Sequence, residues 1–283
     1  MRVSLLTAAA IVGFSANSLL TSAALGAGRL DPATFTMVRL ATGALALAVL
    51  VRMSRRTARE RGDWRSALWL AGYAVPFTLA YLRIGAAVGA LILFGSVQVT
   101  MIAIGLARGE RPARIDWLGL ALAAAGLLAL TLPGASAPDP AGAALMTLAG
   151  VCWGLYSLDG RRSRDPLGAT AGNFLRAAPA GLLFFLAQRA HLHVTGTGLA
   201  LATASGALAS GVGYTLWYAA LPHLAAWRAA VLQLIVPVLT AALASLLLRE
   251  PIGARLIVAA AVIGAGVWLT IHPARPAAPA LRS

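Results

Sequence analysis

From its third residue to its 271st the sequence is a succession of apolar stretches about twenty residues long, separated by turn-forming, arginine-bearing segments. A helix rising 1.5 Å per residue needs about 20 such residues to cross ~30 Å of hydrocarbon, so this spacing dictates a chain threaded repeatedly through a bilayer. Uncharged stretches run 3–25, 66–82, 84–107, 117–133, 141–158, 194–222, 229–248 and 256–271. Two more, 32–51 and 166–188, carry one arginine each, Arg39 and Arg176. Ten spans are predicted. The stretches are continuous rather than alternating and are dominated by Ala and Leu, which indicates helices and excludes a barrel. With a mean hydropathy of +0.80 and 11% charged residues in a chain of 283, no polar surface remains for a soluble domain.

The first 25 residues look like a secretory leader, with Arg2 ahead of an apolar run and small residues at Ser22-Ala23-Ala24. The run is too long for a typical leader and nine spans follow it, so it is read as a retained first helix. The formal charge of +14 is carried by arginine alone. Fifteen arginines, among them Arg2, Arg61, Arg65, Arg108, Arg161 and Arg275, fall on the side of the amino terminus. Five, Arg29, Arg83, Arg189, Arg249 and Arg255, fall on the other. That asymmetry predicts a multi-pass inner-membrane protein with both termini cytoplasmic, and it accounts for the charge without nucleic acid. Cys152 is the only cysteine, so no intramolecular disulfide forms.

Five spans on each side of a turn-rich boundary, Pro133 to Pro140, suggest an internal repeat. Phe14-Ser15-Ala16-Asn17-Ser18 aligns with Trp153-Gly154-Leu155-Tyr156-Ser157 at an offset of 139. Asp31-Pro32 before Arg39 aligns with Asp165-Pro166 before Arg176, at offsets of 134 to 137. Gly109-Glu110-Arg111-Pro112 aligns with Arg249-Glu250-Pro251, and Pro133 with Pro273, at 139 to 140. Because five is odd, tandem halves enter the membrane from opposite sides, as inverted repeats of secondary transporters do. The expected fold class is an all-α membrane protein of ten transmembrane helices in two inverted five-helix repeats. The first repeat spans 1–135, the second 139–273, and a cytoplasmic tail covers 274–283.

These features together resemble the drug/metabolite transporter superfamily, specifically its EamA-like family. They are the tandem halves, the aromatic-Gly/Ser motif of the first and sixth spans, the arginine of the second and seventh, and the Glu-Pro turns. The resemblance covers essentially the whole chain. It implies ten helices in inverted repeats around a central cavity and export of amino acids or other small metabolites. The second Glu-Pro turn departs from the family's pattern in having no glycine.

Ionisable side chains inside a bilayer cost roughly 2.5–3.5 kcal/mol at a helix centre, which makes each a functional candidate. Arg176 lies about 15 Å into its span and Arg39 about 10 Å. Either the two face the cavity and attract a carboxylate or phosphate, or they snorkel and bind helix-end carbonyls. All nine acidic residues fall in connections or at span ends, which points to a facilitator or exchanger rather than a strongly proton-driven pump. Polar and aromatic residues that interrupt apolar spans complete the candidate cavity: Asn17, Tyr81, Gln98, Trp153, Tyr156, Asn173, Tyr214, Trp217, Tyr218 and Gln233. Each either bonds between helices or lines a wet cavity. Asn17 and Tyr156 are favoured because they fall near matching repeat positions. Trp69, Trp117 and Trp268 read as interfacial anchors. Glycines such as Gly85 with Gly89, and Gly206 with Gly211, read as close-packing positions, and Pro76 and Pro237 as bends.

The expected function is secondary transport of small metabolites, amino acids or related compounds first among them, by alternating access. Drugs, nucleotide-related metabolites or lipids are alternative cargo. An intramembrane enzyme is disfavoured, because His191, His193, His223 and His272 all sit at span ends or in loops, away from any nucleophile or metal constellation. No cofactor or metal is called for. The expected partners are a small-molecule substrate and the lipid bilayer; one chain supplies both halves, so a monomer is sufficient, and a dimer is compatible.

Overall fold

The structure, a computed structural model, describes residues 2–54, 61–84, 86–132, 139–248 and 253–271. Outside them lie most of the inter-repeat boundary, Gly85, the Arg249-Glu250-Pro251 turn, His272, Pro273 and the tail. Eight described helices are long and apolar enough to cross a membrane: α1 Val3–Gly26, α2 Pro32–Met53, α4 Val88–Ala107, α5 Arg114–Thr131, α6 Pro140–Gly160, α8 Gly196–His223, α9 Ala226–Leu246 and α10 Ala254–Ile271. Between them lie α3, Trp64–Tyr81, and α7, Pro166–Ala187, of 18 and 22 residues. These two are as long but more polar.

Aspartates start four of the helices. Asp31, Asp63, Asp139 and Asp165 each accept from the backbone N–H three residues on, at 2.7–3.1 Å, and proline follows three of them at the first helical position. This satisfies an orphan donor and places negative charge at the helix N-terminus. Short connections make consecutive helices alternate in direction. One end of the bundle therefore gathers Arg61, Arg65, Arg108, Arg161 and Arg162, and is called the arginine-rich end below. Trp64, Trp117 and Trp268 lie exposed within a turn of helix ends there.

The bundle is held by small residues. Helices α5 and α10 pack so closely that an added Cβ at Gly119 would lie 2.6 Å from the Gly266 carbonyl oxygen. Gly206 on α8 likewise admits the Arg39 carbonyl of α2, 2.3 Å from where its Cβ would stand. Such approach replaces the hydrophobic effect as the source of cohesion where lipid is the alternative environment. Further contacts pair α2 with α7, α3 with α6 and α7, α4 with α6 and α9, α1 with α8 and α9, and α2 with α8.

Three of the helices are irregular. The last turn of α1, Ser22–Gly26, and the stretch Ser205–Val212 of α8 are π-helical. Helix α9 is interrupted at Gln233 and Leu234, where Val236 N–H bonds the Gln233 carbonyl at 3.0 Å. Pro237 lies four residues beyond Gln233 and has no N–H to give it, so the break falls a full turn before the proline. The sequence places the beginning of this span at 229; the helix starts at Ala226 because the Leu221–His223 turn is only a single 3₁₀ turn.

Candidate functional site

The centre of the bundle is aromatic. Phe14 of α1, Tyr73 and Phe77 of α3, Trp153 and Tyr156 of α6, and Tyr214, Trp217 and Tyr218 of α8 converge there. The Trp153 ring lies 4.6 Å from Tyr214, 5.0 Å from Tyr73 and 5.3 Å, edge on, from Phe14. Tyr156 lies tilted against Tyr218 at 4.8 Å, and Phe14 meets Trp217 edge on at 5.5 Å. Offset and edge-to-face rings of this kind bind each other beyond their area burial, so the cluster forms a firm partition across the bundle.

Cavities lie on both sides of it. A polar vestibule of about 430 Å³ at the arginine-rich end is lined by Arg61, Arg65, Arg162, Asp63, Asp159, Asn173 and Tyr218, among others. Toward the opposite end a chamber of about 320 Å³ is bounded by Phe77, Tyr81, Leu93, Phe94, Met146, Val236 and Pro237, with no charged side chain among the described residues of its wall. Its inner extension, about 30 Å³, reaches the partition between Asn17, Tyr73, Trp153, Tyr214 and Gln233.

Polar groups tie the partition to the helices. Trp153 Nε1–H donates to Gln233 Oε1 at 2.6 Å, and Gln233 Nε2 donates to the Ala229 carbonyl at 3.2 Å. Gln98 donates across to the Ala230 carbonyl at 2.7 Å, so the two glutamines lie where α4 crosses α9. Asn17 Oδ1 accepts from Ser205 at 2.7 Å and Ser210 at 3.4 Å, both on the π-helical stretch. Trp217 donates to Ser157 at 3.1 Å, and the Tyr218 hydroxyl to the Tyr156 carbonyl at 3.1 Å. Arg39 is 1% exposed; its Nε donates to Ser210 at 2.9 Å and its Nη2 to the hydroxyls of Tyr73 and Tyr214.

The structure thus brings Asn17, Trp153, Tyr156, Tyr214, Trp217 and Gln233 to one place, with Arg39 behind the two tyrosines. Tyr81 lines the wide chamber and Asn173 the vestibule, where Asn173 accepts from the Asp63 N–H at 3.0 Å. Gln98 lies away from these cavities, against α9. Arg176 lines none of the three: its Nη1 donates to the carbonyls of Arg61 and Gly172, with the guanidinium 5.8 Å from the Trp64 ring centre. Sequence reasoning missed Tyr73 and Phe77. They form, with Tyr81, an aromatic stripe at a spacing of four residues, one face of a helix. It also missed a cross-brace at the arginine-rich end. There Glu110 accepts from the Ala226 N–H at 2.9 Å and pairs with Arg161 at 2.8 Å, while Arg161 Nε donates to the Leu224 carbonyl at 3.0 Å.

Three comparisons bear on this arrangement. Residues 140–272 match the model of the EamA-like transporter family. An uncharacterized Pseudomonas aeruginosa protein, PA1977, is 50% identical over 273 residues, 96% of this chain and 95% of its own. A crystal structure of a protein 21% identical in sequence superposes with a TM-score of 0.78 over 93% of this chain and 98% of that one, a likeness of fold. This all-helical, multi-pass membrane protein belongs to the EamA-like transporter family.

Proposed function

We propose that the protein is a secondary transporter of small metabolites, amino acids or related compounds first among them, which it exports across the inner membrane by alternating access. The observation that carries the reading is the pair of cavities on opposite sides of one aromatic partition, a polar vestibule and an apolar chamber. Moving the partition's helices opens either side in turn without building a new site. Asn17, Trp153, Tyr156, Tyr214, Trp217 and Gln233 contact cargo at the partition; Tyr81 and Asn173 line the approaches.

In this reading α1 to α10 are ten spans forming two inverted repeats, 1–135 and 139–273, with both termini and the tail 274–283 cytoplasmic. The packing supports it: exchanging each helix with the one five places on turns α3 with α6 into α8 with α1, α4 with α6 into α9 with α1, and α3 with α7 into α8 with α2, all contacts the bundle makes. The pairs α2 with α7, α4 with α9 and α5 with α10 map onto themselves. The lipid bilayer is the protein's solvent, and a monomer is sufficient.

The test is uptake and efflux of a labelled amino-acid and metabolite panel in liposomes holding the purified protein, with Asn17→Ala/Tyr156→Ala as the control. Saturable flux of one class, lost in the control, is expected. An absence of flux across amino acids, drugs, nucleotide-related metabolites and lipids would remove the transporter reading. Flux driven by a pH gradient alone would remove the expectation of a facilitator or exchanger.

A further inference from the structure

The guanidinium of Arg39 lies within a span, and no carboxylate among the described residues pairs with it. Its Nε and Nη2 are taken by three neutral hydroxyls, and its buried Nη1 has no acceptor. Hydroxyls solvate a cation but do not neutralise it, and an uncompensated charge in a dry interior is among the costliest arrangements a fold can hold. A cross-link from α2 to α8 needs only a neutral donor, so structure alone does not account for a full charge here. Both tyrosines that hold Arg39 also line the small chamber at the partition, which places the guanidinium behind that part of its wall.

Resting on the transport reading above, we propose that Arg39 is the receptor for the carboxylate of a cargo that has a single carboxylate and an apolar body. The carboxylate enters the small chamber and takes up the Tyr73 and Tyr214 hydroxyls and, with them displaced, the guanidinium itself. Charge selects the class, because one guanidinium neutralises one negative charge and, among the described residues, the walls of the small and the wide chamber hold no cation that could add to it to meet a phosphate dianion. Size agrees: about 30 Å³ suits a group of one or two oxygen atoms. The adjoining chamber of about 320 Å³, walled by Phe77, Leu93, Phe94, Met146 and Val236, suits a branched aliphatic or single-ring aromatic body. Arg rather than Lys fits the role, since its planar fork keeps Nε on Ser210 while Nη1, and Nη2 once the tyrosine hydroxyls have left it, face the two carboxylate oxygens.

The experiment is a titration of tryptophan fluorescence in the purified full-length protein in detergent, using phenylalanine and 3-phenylpropionate and the carboxamide of each. At least one acid is expected to bind tenfold or more tightly than its amide. Arg39→Gln is expected to cost the acid that tenfold and not to weaken the amide. Tyr214→Phe, which keeps the ring in the partition, is expected to cost the acid two- to fivefold and guards against a misfolded Arg39 variant. Equal binding of acid and amide, or equal loss of both in the variants, would make Arg39 a structural cross-link and overturn the proposal. Failure of both acids to bind, with flux of another solute in the liposome panel, would overturn it and leave transport standing. Acid-selective binding lost in Arg39→Gln, without flux of any solute, would support the site and remove the transport reading.

Discussion

Replacing Glu110 with alanine is expected to destabilise the arginine-rich end by about 2–3 kcal/mol. Ala225, which precedes α9, has no side chain able to cap it, and the carboxylate of Glu110 supplies that cap from the α4–α5 turn, accepting from the Ala226 N–H with both oxygens at 3.0 and 2.9 Å. Loss of a cap costs about 1 kcal/mol, and loss of a negative charge at a helix N-terminus about 0.3–1 kcal/mol more. The pair with Arg161 spans 2.8 Å at 17% and 23% side-chain exposure, between the regimes of surface and buried pairs, and adds about 1 kcal/mol after screening. Arg161 is exposed enough to rehydrate, so no stranded charge enlarges the loss. Glu110→Gln keeps an acceptor and loses the charge, and is expected to cost about half as much. The assay is reversible unfolding in mixed micelles of increasing SDS fraction followed by circular dichroism, with Arg161→Met and the double variant closing a cycle whose coupling is about 1 kcal/mol. An alanine loss under about 0.5 kcal/mol, or equal losses for alanine and glutamine, would refute the capping argument.

Other expectations follow from single contacts. Trp153→Phe and Gln233→Leu each strand a buried polar group, and the double variant is expected to recover about 0.6–1.7 kcal/mol relative to their sum in the same assay; a sum without recovery would deny the bond a role. Gly119→Ala places a Cβ 2.6 Å from the Gly266 carbonyl and is expected to cost about 1–3 kcal/mol in thermal unfolding, whereas Gly264→Ala, with nothing within 4 Å of its Cβ, is expected to be neutral or slightly stabilising. Ala90→Trp fills the wide chamber from its wall and is expected to reduce flux at least tenfold in liposomes, about 1.4 kcal/mol, without shifting the unfolding midpoint.

The helices were legible because each apolar run has the length of a span, and four of them also begin at an aspartate that caps the helix and suits its dipole. The two arginines that fall within spans were not separable by sequence. Both sit alone in an apolar run, yet side chains of a helix tilt toward its N-terminus, and a long flexible one can cover a turn or more in that direction. Arg176 uses that reach to return to the Arg61 carbonyl and the Trp64 ring, while Arg39 is stopped by Ser210, Tyr73 and Tyr214. Depth along the chain therefore did not fix depth of charge. The aromatic partition shows the same limit: its residues were visible, but which way they point was not, because a span apolar on all sides has no face that periodicity can identify. Tyr73 and Phe77 were passed over for that reason. The break in α9 was legible through Pro237, but it falls at Gln233, whose carbonyl lacks the regular donor four residues on and accepts from the Val236 N–H instead, and this is what places a glutamine amide at the partition.

Irregular backbone and buried polarity coincide in this molecule. In hydrocarbon an unpaired backbone group costs several kcal/mol, so a helix departs from its regular ladder only where protein or a cavity covers the departure. The π-helical stretch of α8 holds Ser205 and Ser210, and the break in α9 holds Gln233, and each meets the partition. Ser210 accepts from Arg39 at 2.9 Å and donates to Asn17 at 3.4 Å, so a single hydroxyl joins α2 and α1 through α8. Sliding α8 against α1 alters the Asn17 contact and the Arg39 contact in one step. A solute that changes the bonding of either residue therefore changes the energy of the same displacement, which is the physical requirement for coupling occupancy of a site to movement of the wall beside it.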